Sequence, residues 1–261
     1  MSAPIFFSCY TSCLMPLDEV AAYAAGCGFD GWEIVSEYKH SLHGEKARFL
    51  DVMRSYKFKY QIHAPLSDIN IASPNERVRT TAVNEIIDTI KLAADFNVNI
   101  VTFHPGFLSP LTFEDRKLAL MNNRESLDKI DMAGREYSVT AAIENMPRMA
   151  ITIGTTYEEL ADMIEGTELK ICFDIGHANT AKSIDGFIRC KRPIANVHVH
   201  DNMGDRDEHL IPGRGNIDIA ECLRKISKTG YRGNIVYEAK YLKDGELGRK
   251  SLLKMLDDAE I

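Results

Sequence analysis

Along this 261-residue sequence, side chains able to bind a divalent metal or move a proton recur wherever a short β-rich run gives out. They are His63 in "QIHAP", His104 in "TFHPG", Glu144 in "AIENM", Asp174 and His177 in "FDIGHAN", His198 and His200 in "VHVHD", and Glu238 in "VYEAK". The chain has 8 histidines, and five of them belong to this set. Imidazole nitrogen and carboxylate oxygen are the ligands of Zn²⁺, Mn²⁺ and related ions, and charged groups are rarely buried unless paired or metal-bound. Taken singly, each of these residues reads more readily as a hydrogen-bonded structural group than as a ligand. Recurrence at six successive run ends is what points to one metal site. Asp207 and His209, two apart in "GDRDEHL", would project to one side of an extended loop and could chelate an ion together, although such a loop taken alone reads as a solvated acidic turn. The following "PGRGN" lacks phosphate-loop spacing and reads as a turn into a helix, with Arg214 a candidate contact for an anionic or polyol substrate. Glu33 in "GWEIV" is a candidate substrate contact, Trp32 beside it a core residue, and Asn145 and Lys240 adjoin the candidate ligands where they could orient a substrate.

The elements that must bring these residues together alternate from end to end. The strand candidates are "IFFSCY", "GWEIVS", "KYQIHA", "NIVTFHP", "TAAIENM", "LKICFDIG", "IANVHVHD" and "NIVYEAKY". Between them lie helical patterns, the clearest being the stripe Val78, Val83, Ile86, Ile87, Ile90 and Leu92, read as core packing. Helix starts are marked by "SPNE", "TTYEE" and "NIDIAE", each placing a capping residue ahead of an early acid. Eight strands alternating with about eight helices is the stoichiometry of a single (β/α)₈ TIM barrel, expected over 1–261. An open doubly wound sheet would call for a Gly-rich phosphate turn after an early strand, and "TSCLMPLDE" has none. In a barrel, side chains about one βα unit apart in sequence converge at the C-terminal ends of the strands.

Composition narrows the partners. Net charge is −7 and the pI about 5.7, so bulk electrostatics disfavour nucleic acid, whose non-specific binding rests on Lys and Arg. The 6 cysteines form no CxxC pair and read as reduced, buried thiols. Neither a signal peptide nor a membrane span is indicated, and the expected location is cytoplasmic. A homo-oligomer is left open.

As an ordered set, "HAPLSDINIASP", "FHPG", "IEN", "FDIGHA", "HVHDN" and "DEHLIPGRGNID" resemble, over nearly the full chain, the strand-end signatures of the xylose isomerase-like barrel superfamily. That superfamily includes tagatose-type sugar epimerases, inosose-converting enzymes and endonuclease IV. In its epimerase and isomerase branch the resemblance implies one divalent ion held by Glu144, Asp174, His200 and Glu238. His200 matches the strand-seven ligand, with His198 two residues back on the same face as the other choice. In the endonuclease IV branch it implies a three-zinc cluster that adds His63, His104, His177, Asp207 and His209. The sequence departs from a duplex-gripping nuclease in offering no aromatic wedge after His63, while "EYKHSLHGEK" does carry Tyr38, Lys39 and His40.

Charge frames the choice. Three dications against Glu144, Asp174, Asp207 and Glu238 leave a formal +2, suited to a phosphodiester. One dication against Glu144, Asp174 and Glu238 leaves −1, suited to a neutral polyol. The leading expectation is therefore a Zn²⁺- or Mn²⁺-dependent sugar or sugar-phosphate isomerase/epimerase with one to three ions. It would work through an enediolate, with Glu144 and Glu238 exchanging the proton from opposite sides of the barrel mouth while His177, Arg214, Glu33 and His198 bind a small carbohydrate. The alternative is an endonuclease IV-like trinuclear zinc phosphodiesterase. A metal-binding barrel without catalysis is a third class, which would not need carboxylates facing an open cavity.

Overall fold

The computed structural model describes residues 3–259, so positions 1, 2, 260 and 261 of the expected domain lie outside the described residues. The strands are β1 (Ile5–Ser8), β2 (Gly31–Val35), β3 (Lys59–His63), β4 (Ile100–Phe103), β5 (Thr140–Glu144), β6 (Lys170–Asp174), β7 (Ile194–Val199) and β8 (Asn234–Glu238). All neighbours pair in parallel, and β8 returns to β1 to close the barrel. Every expected strand is present, each stopping short of its apolar run. In "LKICFDIG" the reason is visible: Asp174 ends β6 and caps a helix by accepting the His177 amide at 2.6 Å.

The helices are α1 (Leu17–Gly26), α2 (Lys46–Ser55), α3 (Glu76–Asp95), α4 (Pro110–Glu114), α5 (Arg116–Tyr137), α6 (Tyr157–Met163), α7 (Ile175–Thr180), α8 (Ile184–Ile188), α9 (Ile219–Lys228) and α10 (Gly245–Asp258). These ten helices stand against about eight expected, because α4 and α5 share the connection between β4 and β5, and α7 and α8 share the one between β6 and β7. The three marked helix starts hold, with Asn75, Thr156 and Asp218 accepting the first-turn amides. In α3 the stripe buries Val83, Ile86 and Ile90 and half-buries Ile87 and Leu92, but Val78 in the first turn is 46% exposed. The six cysteines are free, four buried and Cys27 and Cys190 half-buried. No helix among the described residues is long and apolar enough to cross a membrane.

Strand side chains alternate between two environments. Phe7, Trp32, Ile34, Ile62, Val101, Phe103, Ile143, Phe173, Val197 and Tyr237 join one continuous apolar core under the helices. The intervening residues face the barrel interior, and there the filling is largely polar: Glu33, Gln61, Thr102 and Asn196 are all fully buried. On β3, β4 and β7, which carry Gln61, Thr102 and Asn196, the next inward position is His63, His104 or His198. The barrel thus stacks a polar floor directly beneath the chemistry.

Candidate metal centre at the barrel mouth

The expected donors converge. Glu144, at the end of β5, is their hub and is 1% exposed. Its carboxylate lies 3.2 Å from His63 Nε2, 3.3 Å from His104 Nε2, 3.4 Å from His177 Nδ1 and 3.3 Å from His198 Nδ1. Among the described residues four sets of donors have ligand atoms mutually within 4.8 Å: His63, His104 and Glu144; Glu144, Asp174, His198 and Glu238; His177, His200, Asp207 and His209; and Glu144, Cys172 and His198. The first two share Glu144. The third is tied to the second through His200, whose Nε2 is 3.3 Å from both Asp174 Oδ1 and Asp207 Oδ1. Asp207 Oδ2 lies 3.2 Å from His209 Nε2, and His209 is held at φ 49 in the left-handed region, a strain that residues at functional sites commonly carry.

The donor sets fit divalent ions on two observations. Among the described residues, Asp174 Oδ2, His198 Nδ1, His200 Nε2, Asp207 Oδ1 and His209 Nδ1 are buried without a hydrogen-bond partner, which is costly unless something fills the space between them. In addition, the far ring nitrogens are anchored. His63 Nδ1 donates to the Ala64 carbonyl at 2.7 Å and His177 Nδ1 to that of Asn145 at 2.8 Å, so each turns Nε2 toward the carboxylates, the arrangement of metal-ligating histidines.

Electrostatics agree. Burial opposes the charge on Glu144, yet His198, His104 and His63 hold its carboxyl well below the usual range. Asp174, Asp207 and Glu238 are likewise lowered, against burial, by surrounding imidazoles. Conversely, burial opposes protonation of His63, His177, His198 and His200, and the facing carboxylates raise all four. For His104 burial prevails and its pKa falls.

Above this assembly opens a cavity of about 320 Å³. His63, His104, Glu144, His177, Asp207, His209 and Glu238 reach it, whereas the rest of its wall is mainly apolar and includes Leu66, Ile69, Phe107 and Met146. Those wall residues carried no signal in the sequence beyond their place after strand ends.

Several expectations need correction. Glu33 does not line the cavity: it is fully buried, two residues below the Val35 that does, and its carboxylate faces His198 Nε2 at 3.1 Å. His198 is also fully buried and meets Glu144, Asp174 and Glu238 instead of a substrate, while His200, expected in that carboxylate set, joins His177, Asp207 and His209. Two residues along β7 carry a side chain one layer up, so the inner histidine meets the strand-end carboxylates. Glu144 and Glu238 do not face each other across the mouth; they flank His198 Nδ1, with Glu238 Oε1 at 3.0 Å. Arg214 is exposed and borders a separate pocket with Glu208, Tyr241 and Asp244. Asn145 is buried and its side chain pairs with both backbone groups of Asp174, at 2.8 and 2.9 Å, so it holds β6 in place. Lys240 does line the cavity. In the loop after β2, Tyr38 is 69% exposed but His40 is buried edge-on against Trp32.

Sequence reading missed Asp201. Fully buried, it accepts the amides of Gly213 and Gly215 on Oδ2, both at 2.9 Å, and those of Asn202 and Ile217 on Oδ1, at 2.9 and 3.3 Å. The glycines of "PGRGN" were its signal: a Cβ on Gly215 would lie 2.2 Å from Asp201 Oδ1. This knot closes the loop that carries Asp207 and His209.

Among known proteins, the chain is 37% identical over 237 residues to the uncharacterized protein MJ1311 of Methanocaldococcus jannaschii, spanning 88% of this chain and 81% of that one. It is 26% identical over 212 residues to a probable endonuclease 4 of Aquifex aeolicus, spanning 74% and 73%. A solved structure described as a D-tagatose 3-epimerase-like protein superposes with a TM-score of 0.91 at 34% identity, covering 100% of this chain and 98% of its own. A family profile matches residues 21–259, and with the closed barrel and its strand-end donors the chain belongs to the xylose isomerase-like TIM barrel family.

Proposed function

We propose that the protein is a divalent-metal-dependent isomerase or epimerase of a small carbohydrate. The observation that carries this reading is the set Glu144, Asp174, His198 and Glu238, from which Glu144 and Glu238 reach an open cavity of about 320 Å³ at the barrel mouth. Those four residues would hold the ion. When bound, it would supply Lewis acidity, polarising a substrate carbonyl and acidifying the neighbouring C–H. Glu238, whose side chain is 13% exposed against 1% for Glu144, is the better placed to take that proton. Glu144 is the second carrier, its charge balanced by the imidazoles around it. His177 and Lys240 reach the cavity and can hold substrate hydroxyls. The apolar wall keeps bulk water from the exchanged proton. The likeness to the 34%-identical structure described as a D-tagatose 3-epimerase-like protein supports the same class.

A second reading, phosphoester hydrolysis, is favoured by the donor sets that contain His63 and His209, which a one-ion isomerase does not need. It has support in the likeness to a probable endonuclease 4. The deciding experiment counts ions per chain by elemental analysis in the unsubstituted protein, His63→Ala and His104→Ala. Turnover is measured beside it on ketoses, keto-inositols and an abasic-site duplex. Retained sugar turnover with retained metal in both variants is the result expected. Loss of two ions from a starting three, together with duplex incision, would overturn the isomerase reading.

A further inference from the structure

Glu33 has no part in that chemistry, yet a carboxylate buried in a barrel interior is expensive to keep there. Its Oε2 accepts Gln61 Nε2 at 2.6 Å and lies 3.4 Å from both Thr102 Oγ1 and Asn196 Nδ2. These donors, converging from β3, β4 and β7, fix that oxygen as an acceptor. His198 Nε2 faces the same atom at 3.1 Å. Asn196 Nδ2 is also 3.0 Å from His198 Nε2, but its hydrogens have acceptors in Glu33 and in Thr102 Oγ1 at 3.2 Å. The ring nitrogen is therefore the donor to Glu33. With the proton on Nε2, the lone pair of Nδ1 turns upward, between Glu144 Oε1 at 3.3 Å and Glu238 Oε1 at 3.0 Å. Nδ1 is buried and without a hydrogen-bond partner.

We infer that Glu33 is a positioning residue, which locks His198 in the tautomer and orientation that present Nδ1 to an ion held by Glu144, Asp174 and Glu238. His63 and His177 are anchored by backbone carbonyls. His198 alone of these three is anchored by a carboxylate, which makes the imidazole a more basic ligand. The inference rests on the metal-binding part of the proposed function and is independent of the reaction. It separates from a structural role because the two move different quantities. Losing a structural contact lowers the stability of the metal-free protein, while losing a ligand's anchor lowers metal affinity in a protein that is still folded.

The test uses the full chain, stripped of metal, and titrates Zn²⁺ and Mn²⁺ against a competing chelator, with thermal melting in EDTA as the stability control. Glu33→Gln should weaken metal binding about 10- to 100-fold with little change in the melting temperature of the metal-free protein. Glu33→Asp keeps the carboxylate but shortens its reach. It should show a smaller loss, and it carries the test if the Gln variant does not fold. In a His198→Ala background, Glu33→Gln should add nothing, since Glu33 acts through that ring. Metal affinity of Glu33→Gln within about twofold of the unsubstituted protein would overturn the inference alone, as would an undiminished effect in the His198→Ala background. Absence of metal binding by the unsubstituted protein would overturn the metal-dependent reading and this inference with it.

Discussion

Asp201→Asn changes one atom in the loop that carries Asp207 and His209, and the structure sets its cost. Each carboxylate oxygen accepts two backbone amides. An amide side chain must put an NH₂ group where one oxygen stood, so two N–H donors lose their acceptor and face another donor. Hydrogen bonds to a charged group contribute about 1.5–3 kcal/mol each, and an unmet buried donor costs about 1–3 kcal/mol. Gly213 is exposed and its amide can turn to water, so the Asn side chain should settle with its NH₂ toward Gly213 and Gly215. The expected loss is therefore near the lower end, about 3 kcal/mol, a large share of the roughly 5–15 kcal/mol that holds a domain folded. Urea denaturation in EDTA, comparing Asp201→Asn with the unsubstituted protein, measures it free of any bound ion. Gly215→Ala, whose Cβ would press on Asp201 Oδ1 and the Asn202 carbonyl, should give a loss of the same order by an independent route. A change below about 1 kcal/mol in both variants would refute the reasoning, because it would mean the loop is held by something other than this carboxylate.

Glu144→Gln should lower turnover by about 10²- to 10⁴-fold, the usual contribution of a general acid–base group, and should also lower bound metal; steady-state kinetics and elemental analysis on one preparation check both. Gly176→Ala would place a methyl group about 2.1 Å from the His200 ring, so it should displace that imidazole and reduce metal content, read against an unchanged control such as Gly44→Ala, which meets only one atom at 3.8 Å. Burial pushes His40 from its ordinary 6.5 down to about 4. It folds neutral, so its contribution to stability is whole above pH 6.5 and is lost progressively as pH falls from 6.5 to about 4. That interval corresponds to about 3 kcal/mol at most, and denaturation of His40→Gln across the same range should show a shallower decline; parallel curves would refute the assignment.

The alternation of strand and helix patterns identified the fold, and the ends of the strand runs identified the histidines that meet at Glu144, because type and spacing suffice to say that a side chain ends a strand. Alternation does not give height along the barrel axis. Glu33 and Val35 share a face, as do His198 and His200; that Val35 and not Glu33 reaches the cavity, and that His198 and not His200 joins the carboxylates of β5, β6 and β8, depends on strand stagger, a property of the closed sheet. For that reason Glu33 and His198 were read as substrate contacts and lie beneath the site. Asp201 was illegible for a related reason: its partners are backbone amides up to 16 residues away, whose identity the sequence masks except through Gly213 and Gly215.

One carboxylate touched by four imidazoles also changes what a titration can report. His63, His104, His177 and His198 all lie within 3.4 Å of Glu144, so a proton arriving on any one ring alters the field at the other three. Protons then enter and leave the assembly in steps that belong to the whole of it. The limbs of a bell-shaped pH–rate profile would be macroscopic constants of five coupled groups, and removing one histidine would move both limbs, including the one governed by groups it never contacts.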